Sequence, residues 1–271
     1  MRIELTDDAA EFQRRTAAFL GRDPLLHTVI ATVVESYVTG LSDGPAVFAA
    51  VHVDGAVIGA SMCTAGHSVY LGGVPDPAVP DLVAAFEERV PAAPGVEGPP
   101  GAALVFAERW SALCGSKFRM DVASRLYQLG SLSMPGVPGS ARRAGESDIE
   151  LCAQWSEQMR REAGIGLSAD AIRARIALGR WWLWEDGGRP VCMVAHQARA
   201  YGWTRIGPVY TPPEARGHGY ASGLTAHVAK LLRDSGSEVC LFTDIANPTS
   251  NKIYRAIGFE PVRNFVHYEF V

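Results

Sequence analysis

Apolar and polar positions recur with two different periods along the chain, and the periods predict alternating helices and strands. Short apolar or alternating runs in the second half predict strands at 180–185, 190–197, 203–210, 238–243, 259–262 and 265–270. Apolar residues spaced three and four apart predict helices at 148–161, 168–178, 219–233 and 248–257. The turn Asp186-Gly187-Gly188 joins the first two strands into a hairpin.

The first half has a similar order of predicted helices and strands. Helices are expected near 8–20, 24–37, 79–89 and 107–115, and strands at 46–53, 56–64, 67–72, 102–107 and 124–132. The repeated order predicts a mixed α/β fold made of a duplicated, strongly diverged domain. Residues 131–147 are rich in Gly, Pro, Ser and Arg, so we expect domains at 1–133 and 148–271 joined by a linker at 134–147.

Composition narrows the class of protein. The chain has 271 residues, of which 48% are hydrophobic and 20% are charged, which excludes a disordered or collagen-like chain. The net charge of −4 gives no indication of nucleic-acid binding. Residues 1–135 carry 9 basic and 15 acidic side chains, and residues 136–271 carry 16 and 14. An anionic ligand would therefore be better hosted by the second half.

Cysteines, histidines and the N-terminal residues indicate an intracellular setting. The five cysteines form no CxxC pair, and their odd number argues against a disulfide framework. The seven histidines show no metal-ligand spacing, so no metal site is expected. The first residues, MRIELTDDAAEF, do not resemble a secretory signal, and no apolar run approaches the roughly 18 residues needed to span a membrane. We expect a cytoplasmic protein with free thiols and no membrane partner.

The segment 208–221, PVYTPPEARGHGYA, carries the strongest chemical signal. A strand ends near Tyr210, and Arg216-Gly217-His218-Gly219-Tyr220-Ala221 opens a helix. The free N–H groups and the dipole of a helix N-terminus favour anions, and the two glycines allow close approach of a ligand. The residues after the last glycine do not fit a P-loop, and a dinucleotide fingerprint would need a third glycine. A tight turn without a ligand remains the alternative.

Two neighbouring segments add to this signal. Gly207-Pro208 interrupts an apolar strand, so we expect a bulge or a break in pairing, where unpaired backbone groups could bind an extended, amide-bearing ligand. After the next strand, Asn251 and Tyr254 lie three residues apart on a helix and share a face, although Tyr254 alone could be a packing residue.

Together these segments resemble the GCN5-related N-acetyltransferase (GNAT) superfamily over about 150–271. The acyl-CoA motif Arg/Gln-x-x-Gly-x-Gly/Ala of that superfamily is matched by Arg216, Gly219 and Ala221, and its downstream pattern by Asn247, Asn251, Tyr254, Gly258 and Phe259. The first half resembles a degenerate GNAT domain, as in tandem members. Its turn at 71–81 lacks the Arg-Gly-x-Gly set, so we expect a lid or packing platform there.

The resemblance implies two GNAT-like domains, each a mixed, mostly antiparallel sheet flanked by helices. It also implies direct transfer of an acetyl group from acetyl-CoA to an unidentified amine, with Tyr254 protonating the leaving thiolate. The residues implied in binding acetyl-CoA are Val209, Tyr210, Thr211, Arg216, Gly217, His218, Gly219, Tyr220, Ala221, Asn247, Asn251 and Arg255. The backbone of Val209 and Tyr210 would hold the thioester carbonyl, and the protein would be a monomer or a homodimer.

The general base and the acceptor stay open. No Asp or Glu occurs between Gln197 and Pro213, so His196, Tyr201 and Asp244 are substitutes for a strand carboxylate. Three tryptophans at 181, 182 and 184 either line an amine cleft or pack as strand residues. The missing carboxylate also motivates a second hypothesis, a non-catalytic acyl-CoA-binding or sensing protein. A dinucleotide-binding oxidoreductase is a third, disfavoured by the glycine count.

Overall fold

The periodic apolar positions fold into eight helices and twelve strands, and the structure, a computed structural model, describes residues 1–271. The helices are α1 (Ala9–Leu20), α2 (Thr28–Val38), α3 (Val79–Arg89), α4 (Pro100–Cys114), α5 (Ile149–Ala163), α6 (Ala169–Ala177), α7 (Tyr220–Asp234) and α8 (Pro248–Ala256). The strands are β1 (Arg2–Thr6), β2 (Ala46–Val53), β3 (Ala56–Thr64), β4 (Val69–Leu71), β5 (Gly95–Gly98), β6 (Phe118–Leu129), β7 (Ser140–Arg143), β8 (Trp181–Asp186), β9 (Arg189–His196), β10 (Trp203–Tyr210), β11 (Glu238–Asp244) and β12 (Phe259–Phe270).

The chain divides into two compact units, each with a mostly antiparallel sheet. Unit 1 holds residues Met1–Leu126, Asp244–Ala246 and Arg263–Val271, and unit 2 holds Tyr127–Thr243 and Asn247–Val262. The order from β1 to β6 and the order from β7 to β12 are the same, β-α-α-β-β-β-α-β-α-β. The predicted mixed α/β fold with two similar halves is confirmed.

Unit 1 has its strands in the order β1-β2-β3-β4-β5, and the C-terminal part of β12 follows β5. Residues 266–269 of β12 pair antiparallel with β5, while β4 and β5 are parallel. The core under this sheet is filled by α3 and α4, whose buried rings Phe86, Phe106 and Trp110 pack in sequence, and Trp110 stacks on Phe270 with ring centroids 5.1 Å apart. The last strand of the chain is therefore part of the core of unit 1.

Unit 2 has the strand order β7-β8-β9-β10-β11, with helices on both faces. Successive side chains of a strand point to opposite faces, so alternate residues of β8 enter two different cores. Trp181 and Leu183 pack with α5 and α6, and Trp182 and Trp184 pack with α7. The tryptophans therefore serve as packing residues on both faces, one of the two alternatives left open by the sequence.

The structure differs from the sequence-based prediction at several segments. The strand predicted at 102–107 is wrong, because these residues lie within α4, which begins at Pro100 and buries Ala102, Phe106 and Trp110 at helical spacing. The two strands predicted at 259–262 and 265–270 are one strand, β12. β1, β5 and β7 were not predicted from the pattern, and each has only four or five residues.

The predicted linker contains ordered structure. β7 lies inside 134–147 and pairs antiparallel with β8, from Ser140 opposite Glu185 to Arg143 opposite Trp182. The indole Nε1 of Trp184 donates a hydrogen bond to the Pro138 carbonyl at 2.7 Å. The proposed domain limits at 133 and 148 stay a prediction, and the compact units divide the chain at other residues.

Candidate active site

A separation of two strands in unit 2 creates the first part of the candidate site. β10 pairs parallel with β11 from Trp203 only as far as Ile206, opposite Leu241, although both strands continue beyond this point. On its other side β10 pairs with β9, and this register shifts between Ile206 and Val209. The break expected at Gly207-Pro208 is confirmed. The edge of β10 that faces away from β9 therefore lacks a parallel partner beyond Ile206, which leaves backbone groups for an extended ligand.

The turn between β10 and α7 forms the second part. A short 3-10 helix at Pro213–Ala215 leads to Arg216, and Gly217 and Gly219 adopt φ values of +86° and +82° that favour glycine. Gly219 is the N-cap of α7, and no side chain caps this helix. No hydrogen bond is formed by the amides of Gly217, His218 or Gly219. Three free N–H groups at a helix N-terminus are suited to bind a phosphate group.

Space is available for such a ligand above this turn. A Cβ atom placed on Gly217 would meet no atom within 4 Å. The ring of His218 stacks on the ring of Tyr220 at 5.4 Å, and the Tyr220 hydroxyl donates to the Asp186 carboxylate. These contacts engage the rings of His218 and Tyr220 with each other and with Asp186. Ala221, the next residue of α7, is half-buried against the core of unit 2.

Arg216 is held in place by three contacts. Its Nε donates to the Thr211 carbonyl at 2.9 Å, and its guanidinium lies over the Tyr210 ring at 5.7 Å. It also pairs with the Glu162 carboxylate at the end of α5. Glu162 accepts a hydrogen bond from the Tyr210 hydroxyl at 2.9 Å as well. Glu162 is not predictable from the sequence, because nothing in its local sequence relates it to a residue 54 positions later.

Hydrogen bonds and burial determine the protonation states of Glu162 and Tyr210. Hydrogen bonding to Arg216 holds the pKa of Glu162 below its usual range, so the carboxylate is ionised at neutral pH. Burial and the hydrogen bond to Glu162 raise the pKa of Tyr210 to about 12, so its hydroxyl stays protonated. Arg216 is therefore a cation with a carboxylate partner at the place where an anionic ligand would arrive.

Tyr254 reaches the separated strands from α8. The residue is 7% exposed, its ring packs against Phe259, and its hydroxyl forms no hydrogen bond. Burial raises the pKa of Tyr254, and the nearby Cys192 thiol of β9 adds to this shift. Burial also raises the pKa of Cys192 to about 12, and a contact with the Thr211 side chain opposes this in part. Tyr254 thus presents a protonated and unpartnered hydroxyl near Cys192, in the part of β9 that pairs with the end of β10.

The two asparagines before Tyr254 have local structural contacts. Asn247 caps α8 by accepting from the Ser250 amide at 3.0 Å. Asn251 donates through Nδ2 to the Asn247 carbonyl at 2.7 Å and accepts through Oδ1 from the buried Tyr127 hydroxyl at 2.8 Å. Arg255 is exposed and forms no ion pair. The asparagines therefore fix α8, and Arg255 has a free cationic group.

Among the substitutes for a general base, His196 is placed next to the strand separation. It is the last residue of β9 and lies opposite Ile206 in the register of β10. Its Nδ1 is 2.9 Å from the Gln197 carbonyl, which leaves Nε2 as the acceptor. Burial is the largest cause that lowers the pKa of His196, so the ring is neutral at pH 7. Asp244 accepts from the Ala246 amide at 2.8 Å.

The corresponding turn of unit 1 has fewer donors for an anion. Prolines stand at 75 and 77 between β4 and α3 and at 80 in the first turn of α3, and proline has no N–H group. The Gly73 amide donates to the ring of the buried His27 at 3.3 Å. Asp76 and Asp81 add negative charge to the first turns. This physical difference supports the expectation that the acyl-CoA motif is present only in the second half.

Comparison with solved structures defines the class of fold. An acetyltransferase of the GNAT family from Colwellia psychrerythraea has a TM-score of 0.63 and 14% identity over 100% of both chains. A GCN5-related N-acetyltransferase from Sphaerobacter thermophilus has a TM-score of 0.60 and 19% identity over 83% of this chain and 80% of its own. A tandem GNAT protein from the clavulanic acid biosynthesis pathway has a TM-score of 0.58 and 14% identity over 98% of each chain. The chain has the GNAT fold.

Within this class, residues 186–270 match the family described as FR47-like protein. The matched segment contains β9 to β12 and therefore the strand separation, the glycine turn and Tyr254. The resemblance to the GNAT superfamily that was expected from the motifs is confirmed. The search of curated proteins found no match to the sequence. No helix of the structure combines the length and apolar character needed to cross a membrane.

Proposed function

We propose that the chain is an N-acetyltransferase that moves an acetyl group from acetyl-CoA to an amine by direct transfer. The observation that carries the proposal is the strand separation that ends in three free amides at Gly217–Gly219. An extended, amide-bearing ligand with a phosphate group fits both features, and acetyl-CoA has this chemistry. The free amides at this turn and the open space above Gly217 are suited to such a group.

The residues divide into those that bind and those that react. Backbone groups of 209–211 would hold the pantetheine arm and the thioester carbonyl, and residues 216–221 would hold the pyrophosphate. Arg255 would contact a phosphate. Asn247 and Asn251 would contribute by holding α8, the helix that carries Arg255, in place. Acetyl-CoA supplies the activated acetyl group, and holding it next to the amine supplies much of the acceleration.

The transfer requires two proton movements. A bond forms between the amine nitrogen and the carbonyl carbon, and the carbon–sulfur bond breaks. Tyr254 gives its proton to the leaving thiolate. The raised pKa of Tyr254 keeps its phenol protonated until the thiolate forms. His196 takes the proton from the amine at Nε2, the ring nitrogen left as an acceptor by the Gln197 contact.

Two experiments test the proposal. One measures the release of CoA from acetyl-CoA in the presence of a panel of primary amines, and the other titrates the protein with CoA in a calorimeter. CoA-dependent heat and amine-dependent release of free thiol are the expected results. Tight CoA binding without turnover on any amine would favour the second candidate, a non-catalytic acyl-CoA sensor. That candidate has support from the absence of a carboxylate on β10 and from the pairing of Arg216 with Glu162. No CoA binding would contradict both.

A further inference from the structure

Unit 2 contains a group of basic side chains that the proposed chemistry does not use. Arg175 lies on α6, Arg180 follows this helix, and Arg143 ends β7. Together with His196, they form what we call the basic cluster. A Cβ atom placed on Gly179, next to Arg180, would lie 3.5 Å from the Arg143 guanidinium, and after burial the three arginines contribute to the lowered pKa of His196. The backbone ties the group together, because Arg180 donates its amide to the Arg175 carbonyl at 2.9 Å and accepts from the His196 amide at 3.1 Å.

No carboxylate balances this cluster. Arg175 is half-buried, and its one hydrogen bond, at 3.3 Å, goes to the neutral Gln197 side chain. Arg143 stacks over the Trp182 ring at 5.2 Å, and neither Arg143 nor Arg180 forms an ion pair. Burial and the positive charges of Arg205 and Arg180 lower the pKa of Arg175 to about 10. Arg205 has interactions of its own and is not counted in the cluster.

Arg142, the neighbour of Arg143, is an arginine of the same unit whose charge is neutralised by carboxylates. It donates to Asp148 at 2.6 and 2.8 Å and to Glu185 at 2.7 Å. These carboxylates raise its pKa, the opposite of the shift at Arg175. A half-buried guanidinium without a counter-charge is costly to the fold, so its presence calls for an anionic partner.

The position of the cluster indicates which ligand would bring that anion. His196 lies opposite Ile206, the last residue of β10 that is paired with β11. The glycine turn lies beyond the other end of the separated segment, after Tyr210. A ligand bound at the cluster would therefore approach the separated strands from the end opposite to the phosphate turn. In the proposed reaction, this is the side left for the acceptor.

We propose that Arg143, Arg175 and Arg180 bind a carboxylate or phosphate group carried by the amine that accepts the acetyl group. The claim that the anionic group belongs to the acceptor amine rests on the proposed function, whereas the anion site itself does not. It specifies the substrate class as an amine that also bears an anionic group. The Trp182 indole Nε1 is buried without a partner, and the Trp182 ring supports Arg143 from below.

Matched pairs of amines test the acceptor class and separate the two sources of negative charge. One pair is an amino acid and its carboxamide, and the other is an amino alcohol and its phosphate ester. The anionic member of at least one pair should have the higher kcat/KM. Replacement of both Arg175 and Arg180 by Met should lower that kcat/KM about 10- to 100-fold, with the KM for acetyl-CoA unchanged. Equal rates for charged and uncharged members would overturn the proposal.

Arg173→Met is the matched control, because Arg173 lies on the same helix and pairs with Asp170 at the surface. The control variant should keep the preference for the anionic amine. Arg175→Met alone should raise the melting temperature without ligand, because it removes a half-buried charge and keeps the apolar stem. A fall in melting temperature would indicate that Arg175 has a structural role, which contradicts the proposal.

Titration with inorganic phosphate and with acetate tests the anion site without turnover. Saturating CoA is present, and the melting temperature is the readout. Either anion should stabilise the natural chain and the Arg216→Met variant, but not the chain that lacks Arg175 and Arg180. If no amine is acetylated and this pattern is still observed, the proposed function fails and the anion site stands. If neither anion stabilises the natural chain, the anion site is contradicted.

Discussion

Two tyrosines of the candidate site have pKa values raised chiefly by burial, and their different hydrogen bonding separates their roles. Burial is the larger cause at Tyr210, and the hydrogen bond that its hydroxyl donates to the Glu162 carboxylate raises the pKa further. The Tyr254 hydroxyl has no partner, and burial is the main cause of its raised pKa. A hydroxyl without a partner is free to give its proton to a bound group. Under the proposed function, Tyr254 would therefore donate the proton, and Tyr210 would form a fixed part of the wall.

Replacing Tyr254 by Phe should lower kcat about 100-fold, the usual scale for loss of a general acid. The dissociation constant of CoA should change little, since the ring and its contact with Phe259 are kept. Single-turnover kinetics and calorimetry measure the two effects separately. An unchanged kcat would remove Tyr254 from the mechanism.

Replacing His196 by Gln should remove the acidic limb of the pH profile of kcat/KM. Burial and the positive charges of Arg180, Arg143 and Arg175 lower the pKa of His196 below 6.5, and the hydrogen bond to the Gln197 carbonyl opposes them. The neutral form is therefore present at pH 7 and is lost only as the pH falls through that lowered pKa. Rates of the natural chain should decline below pH 6.5, and a variant with the same limb would exclude His196 as the base.

Replacing Glu162 by Gln should tighten CoA binding several-fold, because Arg216 then loses the carboxylate that competes with phosphate. Glu157→Gln is the matched control, since Glu157 lies on the same helix and pairs with Arg160 and Arg161 instead. Calorimetric dissociation constants for both variants check the prediction. Weaker binding in Glu162→Gln would mean that the carboxylate orients Arg216 and does not compete for it.

The two ends of α7 offer a direct test of the glycine turn. Gly219 and Gly236 both have φ of +82°, but only Gly219 lies at the N-terminus of the helix. Alanine at either position should cost about 1–2 kcal/mol of unfolding free energy, because each forces a left-handed conformation. Only Gly219→Ala should also weaken CoA binding. Equal CoA affinity in the two variants would contradict a binding role for the turn.

Helices and strands are predicted well from the sequence where the periodic pattern of apolar residues extends over many positions. The strand at 203–210 and the helix at 79–89 were placed without error. The segment at 102–107 was misplaced because its alanines and apolar residues suit a buried helix as well as a strand. β5 contains glycine at both ends, and β7 contains two arginines, so neither shows an apolar run. Their positions depend on pairing with distant strands.

The candidate site was predictable to the extent that it is local in sequence. Gly217 and Gly219, the break at Gly207-Pro208 and the face of Tyr254 could be read from neighbouring residues. Glu162 and the basic cluster could not, since they come from α5, α6 and β7. An arginine that lacks a carboxylate is recognised only when all its neighbours are known.

The two units repeat one order of helices and strands, yet the chain does not divide at a single point. Residues 263–271 belong to unit 1, where β12 pairs with β5 and Phe270 stacks on Trp110. Deletion of residues 263–271 should therefore destabilise unit 1 by several kcal/mol, through lost aromatic burial and an open strand edge. Hydrogen exchange of β4 and β5 measures the effect, and unchanged protection in these strands would contradict it.

The place of β12 also has a consequence during synthesis on the ribosome. β5 emerges early, but its neighbour at residues 266–269 is translated much later, since Val266 lies opposite Gly98. The nascent sheet of unit 1 must wait for residues 266–269 before β5 gains this neighbour, and such distant pairing slows folding. Expression of residues 1–133 alone should give a chain that aggregates through β5, whereas a chain that includes residues 266–269 covers that edge.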